Sequence, residues 1–304
     1  MNKFKSILLL SSIILIFASC DDDDDGPTSE PLRDADEVRL ENEITINQFL
    51  EDHYIEQQPN QANPNFDRIV FKPINSPDAP SDAVAVKDSE LLKSKTITQN
   101  NIEYDLFYVQ IREGAASERK PTFADSLLVT YEGYTIENEL FDGTPNPIWL
   151  DGSNLVVGFR EAMTEYRGSS GFVENPDGSF AFNDDFGIGA VIIPSGLAYF
   201  ATPPINSGIE RYKPIVFTYQ LYRSRLIDHD RDGIPSYMED LNGTRRLNDV
   251  DTDGDRIFNY LDEDDDGDGV PTRDEITIEE DGTIVFPDSN GNGTADYLDS
   301  TYPE

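Results

Sequence analysis

Four twelve-residue windows near the C-terminus repeat one pattern: DHDRDGIPSYME from Asp228, DTDGDRIFNYLD from Asp251, DDDGDGVPTRDE from Asp264 and DSNGNGTADYLD from Asp288. Each places an oxygen-bearing side chain at positions one, three and five and a carboxylate at position twelve. An acid-rich stretch with no such order stays solvated and held open by self-repulsion. Four in-phase repeats with spaced glycines point instead to loops organised by cations. A hard divalent ion takes roughly six to eight oxygens at about 2.3–2.6 Å, and alternate residues of a tight loop can all point inward, so the spacing is that of a calcium loop.

The ligand sets read from this spacing are Asp228, Asp230, Asp232 and Glu239; Asp251, Asp253, Asp255 and Asp262; Asp264, Asp266, Asp268 and Glu275; and Asp288, Asn290, Asn292 and Asp299. Position six calls for glycine at the sharp turn. Gly233, Gly269 and Gly293 comply, whereas the second loop has Arg256. That loop can also be read from Asp249, with Asp251, Asp253 and Gly254 following and Tyr260 at the closing position. The fourth loop has amides where the others have acids, which predicts weaker binding. The segment resembles the thrombospondin type 3 and calcium-rich repeats of bacterial surface proteins, in which ions replace a hydrophobic core. Without metal, most of it is expected to unfold.

The chain has 304 residues, enough for two domains, and its 37% apolar content suffices for one core. A formal charge of −37 argues against nucleic acid as a partner. At the N-terminus, Lys3 and Lys5 precede an apolar run from Ile7 to Phe17. At about eleven residues the run is too short to span a membrane and fits a signal peptide. Ala18-Ser19-Cys20 resembles a lipobox, so Cys20, the single cysteine, is expected to become a lipidated N-terminus anchoring an outer-membrane lipoprotein. An ordinary signal peptide with a free cysteine is the other reading. The Asp21 to Asp25 run resembles a surface-export signal, and a flexible spacer facing the periplasm is its alternative.

The chain divides into a signal peptide (1–19), an acidic linker (20–34), a helix with an extension (35–100), a strand-rich domain (101–225) and the acidic repeats (226–304). Val38, Leu40, Ile44, Phe49, Leu50 and Tyr54 predict an amphipathic helix over roughly 36–55, whose apolar face needs a partner, either the next domain or a second copy. Between 58 and 100 the composition is rich in Pro, Asn, Ser and Asp, with one strand-like run at 68–71. Strands are expected at 104–111, 126–134, 189–194 and 215–222, in a mostly antiparallel sheet with one short helix at about 158–166. Hairpins are expected around Asn175-Pro176-Asp177-Gly178 and Asp281-Gly282. His53 and His229 read as surface residues and Trp149 as a core or rim aromatic.

Within the strand-rich stretch, LLVTYEGYTIENELFDGT from Leu127, LVVGFREAM from Leu155, AVIIPSGLAYF from Ala190 and IERYKPIVFTYQLY from Ile209 follow one another in the order and spacing of FKBP-type peptidyl-prolyl isomerases. The resemblance implies an α+β fold, an FKBP-like antiparallel half-barrel sheet around one helix, followed here by a calcium-stabilised segment with little regular structure. Carried over by position, it implies a proline pocket of Tyr131, Phe141, Asp142, Leu155, Val156, Phe159, Tyr199, Ile209 and Phe217. Phe159 would form the floor, the Val156 N–H and Tyr199 hydroxyl would hold peptide carbonyls, and Asp142 would sit beside the twisting bond. The chain departs from the family pattern where Phe159 replaces a tryptophan, Phe200 a glycine, and Ile209-Glu210-Arg211 an Ile-Pro-Pro. The implied function is isomerisation of proline-containing polypeptide clients outside the inner membrane, with structural Ca2+ in the repeats. The alternative is an inactive FKBP-like binding or adhesion module on a calcium-stabilised stalk.

Overall fold

The computed structural model of the protein describes residues 31–59, 67–176 and 180–302. The described residues from Arg33 onward form one unit. The signal-peptide reading, Cys20 and the Asp21 to Asp25 run lie outside the described residues.

Helix α1 (Ala35–Asp52) starts where the Asp34 side chain accepts the N–H groups of Asp36 and Glu37 at 3.0 and 2.9 Å. These bonds satisfy two of the orphan donors of the first turn, and the acids at positions 36 and 37 suit its positive end. The helix stops three residues before the expected end, because Tyr54 and Ile55 pair instead with Lys72 and Phe71. They belong to β1 (His53–Pro59), which forms an antiparallel hairpin with β2 (Asp67–Pro73). Here cross-strand pairing of aromatic and branched side chains outweighs continuation of the helix.

The buried face of α1 is Val38, Asn42, Ile46, Phe49 and Leu50, while Leu40 and Ile44, expected on that face, are exposed. Its partner is the main sheet of the same chain. Ile46, Phe49 and Leu50 pack with Phe71, Val109, Ala190, Ile192 and Val216. Each such side chain, fully buried, contributes about 1.5–3 kcal/mol. The exposed Arg33–Glu37 and Arg39–Glu43 pairs on the helix contribute under about 1 kcal/mol each, so the apolar face decides where the helix docks.

The main sheet comprises β3 (Leu92–Gln99), β4 (Ile102–Arg112), β5 (Ser126–Thr135), β6 (Leu140–Asp151), β9 (Gly187–Ile193) and β10 (Ile215–Arg225), in the spatial order β3-β4-β9-β10-β5-β6. Every neighbouring pair is antiparallel. Two strands of this sheet fall where none was expected. β3 lies in the polar stretch before residue 100. β6 carries Pro145 and Pro147, which argue against an interior strand, and it occupies a sheet edge, where proline is tolerated.

All seven residues of β9 and the first eight of β10 are buried. Such strands lack the in-and-out alternation of a half-solvated antiparallel sheet because both faces are covered. α1 and the β1–β2 hairpin cover one face. On the other lies α2 (Val157–Met163), with Phe159, Ala162 and Met163 against Val129, Val191, Ile193 and Phe217. α2 ends three residues before the expected position, and Tyr166 just beyond it is buried with its hydroxyl donating to the Val109 carbonyl at 2.8 Å. The expected hairpin insertion is present as β7 (Phe172–Glu174) and β8 (Phe180–Phe182), although Asp177 and Gly178 of its turn lie outside the described residues. In the repeats, α3 (Thr272–Glu275) and the β11 (Thr277–Ile278)–β12 (Ile284–Val285) hairpin are the regular elements beyond single 3-10 turns.

Asn42 fastens α1 to the long connection between β9 and β10. Its side-chain N–H donates to the Tyr212 carbonyl at 2.8 Å, its oxygen accepts the Ser195 N–H at 2.6 Å, and the residue is 3% exposed. Removing this side chain orphans two main-chain groups at once. Asn42→Ala is expected to cost about 2 kcal/mol of stability, read as a lower urea midpoint with an unchanged slope; a midpoint equal to wild type would refute the assignment.

Candidate functional site

Four aromatic rings meet where β5, β6, β10 and α2 converge. Phe159 and Phe217 have centroids 4.9 Å apart, Phe141 and Phe217 5.5 Å, Tyr131 and Phe217 6.0 Å, and Tyr131 and Phe159 6.1 Å, all edge-on. Gly133 makes this approach possible, since a Cβ there would lie 2.7 Å from both the Phe141 and Phe217 rings. A bulge in β6 does the rest. Gly133 pairs with Asp142 and Tyr134 with Leu140, leaving Phe141 as the extra residue. Phe141 and Asp142, consecutive in sequence, therefore reach the same side of the sheet. There Asp142 accepts the Tyr131 hydroxyl at 2.8 Å.

Leu155, Val156, Tyr199 and Ile209 pack against the same cluster, so all nine residues expected in a proline pocket fall within or beside it. Val156 is the residue before α2 begins; its carbonyl accepts from Phe159 and Arg160, while its N–H enters no hydrogen bond among the described residues. The Tyr199 hydroxyl is likewise free of a hydrogen-bond partner there. Burial, then the Asp142 charge, push this hydroxyl's pKa up, which keeps it a neutral donor. Phe200, standing where the family pattern has glycine, adopts φ +50°. Two main-chain bonds, to Ser195 and from Tyr212, and an edge-on contact with the Tyr212 ring at 5.0 Å hold it there.

The acidic loops share a second, repeated geometry. In each, the position-six N–H donates to the first carboxylate: Gly233 to Asp228 at 3.1 Å, Arg256 to Asp251 at 3.2 Å, Gly269 to Asp264 at 3.0 Å and Gly293 to Asp288 at 2.9 Å. This position needs a left-handed φ, found at +106°, +95° and +95° for the glycines and +84° for Arg256. Arg256 thus takes the glycine conformation, and the second loop closes in the register that starts at Asp251. Tyr260 lies elsewhere, edge-on to His229 at 5.3 Å.

A clamp that spacing arguments missed recurs in all four loops. The position-two N–H donates to the position-nine side chain: His229 to Ser236, Thr252 to Asn259, Asp265 to Thr272 and Ser289 to Asp296, at 2.8–3.2 Å. A small polar residue seven positions after the second was its visible signal.

Carboxylate oxygens of Asp228, Asp230 and Asp232 gather within 4.8 Å of one another, as do those of Asp251, Asp253 and Asp255, and of Asp264, Asp266 and Asp268. The closing acids differ. Both oxygens of Glu239 and of Glu275 are buried without a hydrogen-bond partner. Burial, followed by the surrounding aspartates, pushes their carboxyl groups up, to about 10 and about 7 respectively. Burial also raises Asp262, with Asp255 and Asp253 adding to it. Asp299 is instead satisfied by Asn290 and Asn292 at 2.8 and 2.7 Å and by Thr301, and these bonds hold it down at about 2. Loops one and three could hold a cation best, and the fourth least.

The repeat segment is tied to the sheet beside the aromatic cluster. Arg245 pairs with the buried Glu161 of α2 at 2.6 Å, and Arg160 donates to the Arg245 carbonyl at 2.7 Å. His229, expected at the surface, bridges Asp151 at 3.0 Å and Ser236 at 2.8 Å. The Asp–His–Ser chain resembles a hydrolase relay, but Ser236 is 0% exposed and its Oγ also takes the His229 N–H, so it serves the clamp. His53 stacks on Phe49, and Trp149, 42% exposed, lies under the Arg225 guanidinium at 4.6 Å. Among the described residues no helix is long and apolar enough to cross a membrane.

The BamM C-terminal family matches residues 229–287, the stretch running from the first acidic loop through the β11–β12 hairpin. No curated protein matches the chain. Among solved structures, a peptidyl-prolyl cis-trans isomerase from Pseudomonas syringae pv. tomato is similar at 18% identity and a TM-score of 0.34, over 45% of this chain and 84% of that one. FkpA from Escherichia coli is similar at 20% identity and a TM-score of 0.33, over 45% of this chain and 53% of its own. The N-terminal domain of FKBP42 from Arabidopsis thaliana is similar at 13% identity and a TM-score of 0.32, over 44% of this chain and 92% of that domain.

Proposed function

We propose that the chain is an FKBP-type peptidyl-prolyl cis-trans isomerase whose C-terminal repeats bind structural calcium. The observation that carries the first part is the aromatic cluster of Tyr131, Phe141, Phe159 and Phe217 with two unused donors beside it, the Val156 N–H and the Tyr199 hydroxyl. The chemistry is modest. Amide resonance opposes twisting by about 18–20 kcal/mol, while the cis and trans forms of an X-Pro bond differ by about 0.5–1 kcal/mol. A twisted amide has lost its charge separation, so an aromatic-walled, water-poor surface favours it over the planar form. No nucleophile and no metal takes part in that step.

In this reading the proline ring sits on Phe159 between Tyr131, Phe141 and Phe217, with Leu155 and Ile209 closing the sides. The Val156 N–H and Tyr199 hydroxyl hold the carbonyls flanking the bond, and Asp142, oriented by Tyr131, lies beside the rotating amide. In a prolyl-peptide isomerisation assay the full-length protein should accelerate exchange, and Tyr199→Phe should slow it about tenfold, the worth of one hydrogen bond of about 1.4 kcal/mol. No rate above background from folded protein would sink the enzyme reading.

Support for calcium comes from the carboxylates themselves. The oxygens of Glu239 and Glu275 and single oxygens of Asp230, Asp232, Asp264 and Asp266 are buried and without partners, a costly state that a bound cation relieves. An all-oxygen donor set suits calcium. When bound, the ion would supply charge neutralisation and cross-linking of the repeats. Chelation should therefore abolish amide-exchange protection after residue 226 while the strands of the main sheet, which have their own apolar core, keep theirs. Equal protection with and without chelator would remove the metal from this account.

The same proposal places the lipid on Cys20 and the protein at the outer membrane, on the strength of the N-terminal residues. Cys20→Ala should then release it from the membrane fraction; unchanged fractionation would count against an anchor there.

A further inference from the structure

Asp265 is the second residue of the third loop, a position whose side chain points to solvent when a loop of this spacing wraps its own ion. Here it is 1% exposed, and neither of its carboxylate oxygens has a hydrogen-bond partner. The third loop's own acids gather apart from it, since Asp264, Asp266 and Asp268 converge on one another. Asp265 reaches the first loop instead. One of its oxygens lies within 4.8 Å of oxygens of Asp232 and Glu239, the fifth and twelfth residues of that loop, and each of those two residues is 2% exposed.

Five carboxylate oxygens at this junction are buried and unpartnered: Asp232 Oδ2, both of Glu239 and both of Asp265. The remaining one, Asp232 Oδ1, accepts the Ile234 N–H at 2.7 Å. Ile234, Ile276 and Tyr297, all buried, pack together next to it and keep water out. Among the described residues no lysine, arginine or histidine forms an ion pair with any of the three acids. The direction of the Asp265 side chain is set by its main chain, whose N–H is clamped to Thr272 at 3.0 Å, and Thr272 is 0% exposed. Arg273 adds a second tie between the loops, donating to the Arg231 carbonyl at 3.4 Å. Three like charges so close and so buried are stable together when a cation sits among them.

We infer that Asp232, Glu239 and Asp265 jointly hold one divalent cation, calcium by its oxygen donors, so that the first loop is completed by a ligand from the third. The inference rests on the calcium reading of the loops and adds to it a ligand that lies outside their spacing. It also couples the two loops. An ion in the first loop draws Asp265 into place, the clamp at Thr272 transmits that order to the third loop, and filling of the two is cooperative.

The test is a calcium titration of the full-length protein and of Asp265→Asn, with the exposed Asp274→Asn as control, alongside melts in calcium and in chelator. Asp265→Asn should bind calcium about tenfold or more weakly and lose the cooperativity between sites, while Asp274→Asn matches wild type. In chelator Asp265→Asn should melt no lower than wild type, because one unpaired buried charge has been removed. An affinity for Asp265→Asn equal to that of Asp274→Asn overturns the inference and leaves the calcium reading intact. A melt depressed as much in chelator as in calcium also overturns it, since Asp265 would then be a packing residue and no ligand. If wild type itself takes up no calcium, the broader reading fails and this one with it.

Discussion

Strands β9 and β10 run through the middle of the sheet with side chains buried on both faces, and that double burial governs the rest of the domain. A sheet with two apolar faces must be covered twice. α2 supplies one cover and is too short to supply more, so α1 and the β1–β2 hairpin must come from upstream to supply the other. Because Asn42 bonds to Ser195 and Tyr212, the outer cover is joined to the connection that carries Tyr199 and Ile209. The element that shields the back of the sheet thereby positions one wall of the aromatic cluster at its front.

The repeats obey the opposite physics. Their geometry is set by main-chain N–H groups donating to side-chain oxygens, at the same positions in all four loops, with only small apolar clusters such as Ile234, Ile276 and Tyr297 between them. What distinguishes the loops is how their closing acids are satisfied. Asp299 is content with amides, whereas Glu239 and Glu275 are left with nothing. The two halves meet at α2, where Glu161 takes Arg245 two residues beyond Phe159. The helix that carries the floor of the aromatic cluster is therefore also a mooring point for the repeats.

Much of this was legible in the residues. The strands at 189–194 and 215–222 were expected as strands of an antiparallel sheet and are found there as β9 and β10, and the acids of the loops declare themselves by spacing. The expected pocket residues also come together, since their order along the chain follows the strand order of a recognisable pattern. Other features were not legible, for identifiable reasons. β3 is built from Lys, Ser and Thr, whose strand state depends on β4 beside it. β6 contains two prolines that only an edge position excuses. Leu40 and Ile44 look like core residues and face outward, while the polar Asn42 is buried because both ends of its amide find main-chain partners.

Taken alone, the sequence determined the local chemistry: that the stretches around 189–194 and 215–222 are strand-forming, that a helix follows the linker near residue 36, and which side chains can offer oxygen to a cation. Local spacing suffices for these because each depends on residues within about one turn or one loop. The tertiary structure decided which of those groups meet. It alone put Phe141 and Asp142 on one side through a bulge, let Arg256 take a glycine's conformation with its N–H bonded to Asp251, and turned Asp265 away from its own loop toward Asp232 and Glu239. A one-residue shift in strand register, or the fold-back of one loop on another, leaves no trace in spacing, because its energy lies in contacts between residues far apart in the chain.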